Sequence, residues 1–212
     1  NAQAGLDDRT RPWAMLAEAM AAFAVQTLER PLAEVIVGAS SGIELEPLRL
    51  HALVGALKVS LETPVNAINA PGLAEERGWI SSARRIPEGQ PPILRLTLRA
   101  GEEETTLEGH HTPAYGPRVT RVDGFEVDFR PQGRFLVTHH DDVPGILAAI
   151  TAELARHELN VGNVSLARQR EGAHAGTALA VIQIDGAIPA AVRDALRETQ
   201  AVHAAHRVRV LA

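Results

Sequence analysis

Residues Thr138 to Gly145, THHDDVPG, gather two imidazoles, two carboxylates, a proline and a glycine between an apolar run and a helical pattern. Phe135, Leu136 and Val137 precede them, and Ile146, Leu147, Ile150 and Leu154 follow at helical spacing. Asp142 is placed to accept from the first free N–H groups of that helix. Pro144 suits its first turn, where the donor that proline lacks is not needed. Several N–H groups and the positive end of the helix dipole then face one spot, which suits a small carboxylate. His140, Asp142 and, beyond the helix, Asn160 bracket that spot with groups able to hold an ammonium or a hydroxyl. The competing reading of the same residues is local, with Asp142 only a helix cap and Asn160 only a turn residue.

A second set of candidates is basic. Arg118, Arg121, Arg130 and Arg134 fall on neighbouring predicted strands, and arginine grips a phosphate or carboxylate with paired donors. The alternative is a solvated strand face, salt-bridged to Glu126 and Asp128. The pairs His110-His111 and His139-His140 raise the question of a metal. Adjacent residues on a strand point to opposite faces, so neither pair makes a good chelate, and no metal site is expected. No GxGxxG follows a strand, and HExxH and Walker loops are absent. No catalytic residue is therefore assigned.

Composition narrows the classes further. The 212 residues carry a net charge of −5, which argues against general nucleic-acid affinity. With no cysteine, disulfides and thiolate metal sites are excluded, and nothing points to secretion. No apolar run reaches the roughly 20 residues of a membrane span, so a cytoplasmic location without a membrane partner is expected. The chain begins at Asn1 rather than Met, which suggests a piece of a longer polypeptide.

The elements that must position these residues can be read in order. Residues 1–32 are a polar arm followed by a packing helix with Pro12 in its first turn and Trp13, Leu16, Met20 and Phe23 along one stripe. Ala33 to Gly38 reads as a buried strand, and about Pro47 to Leu61 as a helix. The break NAINAPG and a short helix ending near Gly78 have the look of a crossover connection. Leu94, Leu96 and Leu98 alternate with Arg95, Thr97 and Arg99, giving a half-buried strand. TTLEGHHT returns, and Asp123-Gly124 is a strong hairpin signal. Pro131-Gln132-Gly133 marks the expected boundary between a domain over 33–132 and another over 133–212. The second reads β (Arg134 to His139), α (Pro144 to His157), β (Asn160 to Arg168), β (Thr177 to Asp185), α (Pro189 to Gln200), β (His203 to Leu211). This βαββαβ order is the ferredoxin-like arrangement, so the whole chain is predicted as α+β. The edges of so small a sheet are normally covered by a partner, which points to pairing of two copies.

The stretch HDDVPGIL, its helix and the following LNV resemble an ACT domain, the small-molecule sensor of many amino-acid biosynthetic enzymes. With APGLAEERG (Ala70 to Gly78), YGP (Tyr115 to Pro117) and the strand ending in Arg130, nearly the whole chain resembles the C-terminal regulatory part of long-form bacterial D-3-phosphoglycerate dehydrogenase. The resemblance implies an α/β intervening domain followed by the ACT domain. It implies L-serine held at an ACT dimer interface by His140, Asp142 and Asn160, with the carboxylate at the backbone of Val143, Gly145, Ile146 and Leu147. Some relatives carry Asn where this chain has Asp142, and an aspartate adds repulsion towards that carboxylate. In the intervening domain, Arg118 and Arg130 align with basic positions that bind an anion. Catalysis, NAD and the catalytic domains of the same polypeptide would lie outside this chain. Two alternatives stay open: the regulatory part of an iron–sulfur L-serine dehydratase, against which the absent cysteines and APGLAEERG weigh, and a free-standing amino-acid sensor or oligomerisation module.

Overall fold

A computed structural model describes residues 6–40, 42–87, 92–172 and 174–211. Of the polar arm read over Asn1 to Asp8, residues 1–5 lie outside the described residues. The chain divides into two compact units, one up to Gly124 and one from Phe125 onward.

In the first unit, α1 (Arg11–Val25) lies beside α2 (Leu45–Lys58), and both pack on a sheet. The strands are β1 (Glu34–Ala39), β2 (Ile80–Arg85), β3 (Leu94–Ala100), β4 (Glu103–Thr112) and β5 (Gly116–Val122), in the order β2-β1-β3-β4-β5. β1 and β2 are parallel and joined through α2 and α3 (Ala70–Glu75), which is the crossover expected from sequence. The remaining pairs are antiparallel. Leu94, Leu96 and Leu98 are fully buried, as their alternation predicts. So are Leu16, Met20 and Phe23 of the α1 stripe. The helix α1 thus packs within this unit.

α2 is buried from His51 to Leu57 without a solvated stripe, because α1 lies on one side and the sheet on the other. Gly55 makes this approach possible: a Cβ there would sit 2.0 Å from the Glu18 carbonyl oxygen. Glu18 is the polar exception in the seam. Its Oε2 is 2.7 Å from His51 Nδ1, and its Oε1 accepts from Lys58 Nζ at 2.6 Å. Burial alone would raise the Glu18 carboxyl, but the His51 and Lys58 hydrogen bonds outweigh it and hold it below its ordinary value.

The second unit opens with β6 (Phe125–Phe129), reached through the Asp123-Gly124 turn, where both residues have positive φ (48° and 83°). The unit boundary falls at that turn, ahead of the Pro131-Gln132-Gly133 boundary read from sequence. The reason is β6 itself: Phe125, Val127 and Phe129 are buried, Phe129 packs 5.5 Å from Phe135, and Ser165 Oγ accepts from Asp128 N at 2.9 Å.

The four strands β7 (Gly133–Asp141), β8 (Asn160–Gln169), β9 (Thr177–Asp185) and β10 (Val202–Val210) run in the order β10-β7-β9-β8, all antiparallel. Helices α4 (Ile146–Arg156) and α5 (Ala190–Arg197) share one face. Ile146, Ile150 and Leu154 of α4 and Val192 and Leu196 of α5 close a core over Leu136, Ala180, Ile182 and Ala205. The chain is α+β, and its second unit has the ferredoxin-like order expected from sequence. β8 forms one edge of the sheet, with most of its residues exposed or half-buried.

Candidate functional site

A cavity of about 410 Å³ opens where β7 ends and α4 begins. It is lined by His140, Asp142, Val143, Gly145, Ile146 and Leu147, all singled out from sequence, and also by Pro144, Leu166 and Arg168. Period-two alternation puts His140 on the helix-bearing face with Leu136, while His139 turns to the other face.

The details at the helix start differ from the sequence expectation. Asp142 does not cap α4, and Pro144 is not in its first turn. Gly145 is the N-cap, with φ +89°, and no side chain bonds the free N–H groups. The left-handed φ takes the chain from the polar turn into the helix, a conformation that glycine adopts without penalty. Among the described residues, the N–H groups of Leu147 and Ala148 in the first turn have no acceptor. Released from capping, Asp142 pairs through Oδ1 with Arg168 Nε at 3.2 Å. Its own N–H donates to the Gly176 carbonyl at 2.8 Å, tying the turn to the β8–β9 hairpin.

His140 is 1% exposed, and its Nδ1 lies 2.9 Å from the Asp141 carbonyl oxygen. A carbonyl only accepts, so Nδ1 carries the proton, and in the neutral ring Nε2 is an acceptor. That Nε2 is buried with no partner. A buried acceptor of this kind costs free energy until a donor meets it.

Asn160 is not brought to this cavity within one protomer. It lies beyond the far end of α4, a helix of 11 residues and hence about 16 Å long. There its Nδ2 donates to Asp185 Oδ2 at 2.7 Å.

The arginines do not form one cluster within either unit. Arg118 and Arg121 are on β5 in the first unit, and Arg130 and Arg134 belong to the second. A register shift between Glu108 and Gly109 lets Val119 and Val122 both be buried, so Arg118 and Arg121 share the outer face despite their odd spacing. Arg121 Nε is 3.7 Å from Glu108, which also accepts from Arg95 at 2.5 Å.

On the opposite face of the second sheet, the rings of His174 and His203 lie 5.8 and 5.5 Å from that of His139. Burial, and then the neighbouring imidazoles of His203 and His174, push His139 below its ordinary value. Among the described residues, no group of three or more His, Asp or Glu is arranged to hold a metal ion. Likewise, no helix among them is long and apolar enough to cross a membrane.

Arg168 was not singled out from sequence. The signal available was its position two residues after Leu166 on a strand, which puts both on one face.

An α/β unit followed by a ferredoxin-like unit with a cavity at its first helix defines a class of two-part α+β chain. Sequence profiles agree with it: the D-3-phosphoglycerate dehydrogenase intervening domain matches residues 9–123, and the ACT domain matches residues 134–200. The chain belongs to the family defined by that intervening domain, here joined to an ACT domain. It is similar to D-3-phosphoglycerate dehydrogenase of Bacillus subtilis, 24% identical over 183 residues, covering 84% of this chain and 34% of the relative. It is similar also to that of Mycobacterium tuberculosis, 28% identical over 198 residues, covering 90% of this chain and 37% of the relative. The chain therefore spans about a third of the length of these curated relatives.

Proposed function

We propose that this chain is the regulatory portion of a D-3-phosphoglycerate dehydrogenase and that it binds L-serine in the cavity at the start of α4 for feedback control. The observation that carries the reading is the buried, unpartnered Nε2 of His140 in a cavity that also holds a helix N-terminus. The serine carboxylate meets the free N–H groups of the first turn, where the dipole favours negative charge. Its ammonium and hydroxyl supply the donors that His140 and Asp142 accept. Oxidation of 3-phospho-D-glycerate with NAD belongs to catalytic domains of the same polypeptide.

A second copy completes the site. Antiparallel pairing of two β8 edges centred on Val164, which is 39% exposed, sets Asn160 of one copy opposite Arg168 of the other and so beside its cavity. This homo-oligomer gives the ligand a means of control, because it can favour one arrangement of subunits only by binding it more tightly.

The test is calorimetric titration of the chain with L-serine, D-serine, glycine and 3-phosphoglycerate, repeated on Asp142→Ala and Asn160→Ala. Saturable, stereoselective L-serine binding that both substitutions abolish without loss of fold is expected. Binding unchanged in both variants, or absent from the unmodified chain, would contradict the reading.

A further inference from the structure

Arg168 is the one charged side chain of the cavity that comes from β8. Its position follows from the strand: Leu166 packs against the core beneath the helices, and Arg168, two residues on, emerges from the same face at the cavity mouth. There its Nε meets Asp142 at 3.2 Å, with the two side chains 56% and 33% exposed. An ion pair so open to water adds little to stability, so its consequence is local charge.

Without Arg168, the carboxylate of Asp142 would stand at the edge of a site whose helix N-terminus is suited to an anion, and would repel it. With Arg168 the side-chain charges cancel, and the N-terminal dipole is left as the net field. The ion pair engages Nε, and among the described residues the two terminal nitrogens have no other partner. They form a fork that matches a carboxylate. His140 supplies an independent sign that the cavity is built for a ligand, through its buried and unpartnered Nε2.

We infer that Arg168 is a specificity-determining residue: paired with Asp142, it makes the cavity accept a zwitterionic α-amino acid and reject an amine that lacks the carboxylate. The inference rests on the reading of the cavity as an amino-acid site. It explains how an aspartate at position 142 is compatible with a carboxylate-bearing effector, since Asp142 keeps its attraction for the ammonium while Arg168 removes its repulsion of the carboxylate.

The experiment compares L-serine with ethanolamine, which has the same ammonium and hydroxyl but no carboxylate, by calorimetry on the full chain, on Arg168→Gln and on Arg168→Lys. The unmodified chain should bind L-serine about 100-fold more tightly than ethanolamine, and Arg168→Gln should narrow that ratio about tenfold, chiefly by weakening serine. Arg168→Lys retains the charge and should keep most of the ratio, with the unfolding midpoint of all three proteins alike. A ratio unchanged in Arg168→Gln, with serine still bound, overturns the inference and leaves the amino-acid site standing. Binding of neither compound to the unmodified chain overturns the amino-acid reading, and the inference falls with it.

Discussion

Two buried histidines, His51 in the first unit and His140 in the second, each leave Nε2 without a partner, yet their surroundings give them different work. His51 is locked in the α1–α2 seam, where both oxygens of Glu18 are already engaged by His51 and Lys58 and Gly55 brings the backbones into contact. The arrangement is a polar clasp between helices. His140 has its Nδ1 satisfied by its own strand's backbone and lines a cavity with a helix N-terminus and an ion pair. A buried orphan nitrogen is thus informative about binding only when open volume and further convergent polar groups accompany it.

The contrast can be broken from the clasp side first, where the largest effect is expected. Gly55→Ala drives a methyl group into the Glu18 carbonyl and should cost about 3 kcal/mol or more, seen as a lowered denaturation midpoint for the first unit. A near-wild-type midpoint would mean the helices part easily. Glu18→Ala should follow at about 2–3 kcal/mol, because it strands a buried imidazole and removes the Lys58 contact. Urea titration measures it, and a loss below about 0.5 kcal/mol would reduce the clasp to a surface pair.

The cavity side should behave in the opposite way. His140→Leu removes the orphan nitrogen at similar volume, so stability should change by less than about 1.5 kcal/mol while L-serine binding is lost. Intact binding would return His140 to the same structural class as His51. Gly145→Ala, at φ +89° with open space around the added methyl group, should cost about 1 kcal/mol and weaken the ligand by displacing the first turn.

The smallest effect is a pH dependence at His139. Its proton affinity is lowered in the folded state, so as pH falls the unfolded chain takes up the proton first. The stability contribution is present above the ordinary histidine value near 6.5 and is lost as pH falls from there through the lowered folded value. Denaturation midpoints at successive pH values should show a drop below that point, reduced in His139→Gln. An equal drop in the variant would assign it to other groups.

Much of this was legible because apolar periodicity survives where one face is buried. Leu94, Leu96 and Leu98 marked β3, and Ile146, Ile150 and Leu154 marked α4. The sequence signal failed where other physics decided. β2, ISSARR, lies at an edge of its sheet and is largely exposed, so no alternation reveals it. The bulge in β4–β5 moved Arg118 and Arg121 onto one face against period two. At α4, the left-handed Gly145 replaced Asp142 as cap, freeing that carboxylate for Arg168, a partner 26 positions away (168 − 142). Asn160 shows the remaining limit: it lies beyond the far end of α4, bonded to Asp185 and away from the cavity, and the second copy proposed to bring it there is not encoded in any spacing within one chain.

The most direct measurement is nitrogen NMR of the chain labelled at its histidine rings, with and without L-serine. His140 should show a protonated Nδ1 and a bare Nε2 in the free protein. On addition of L-serine, Nε2 should shift as a nitrogen that has gained a hydrogen-bond donor, while the His51 resonances stay in place. A proton already on Nε2 in the free protein, or a His140 signal indifferent to saturating serine, would contradict the assignment of this cavity.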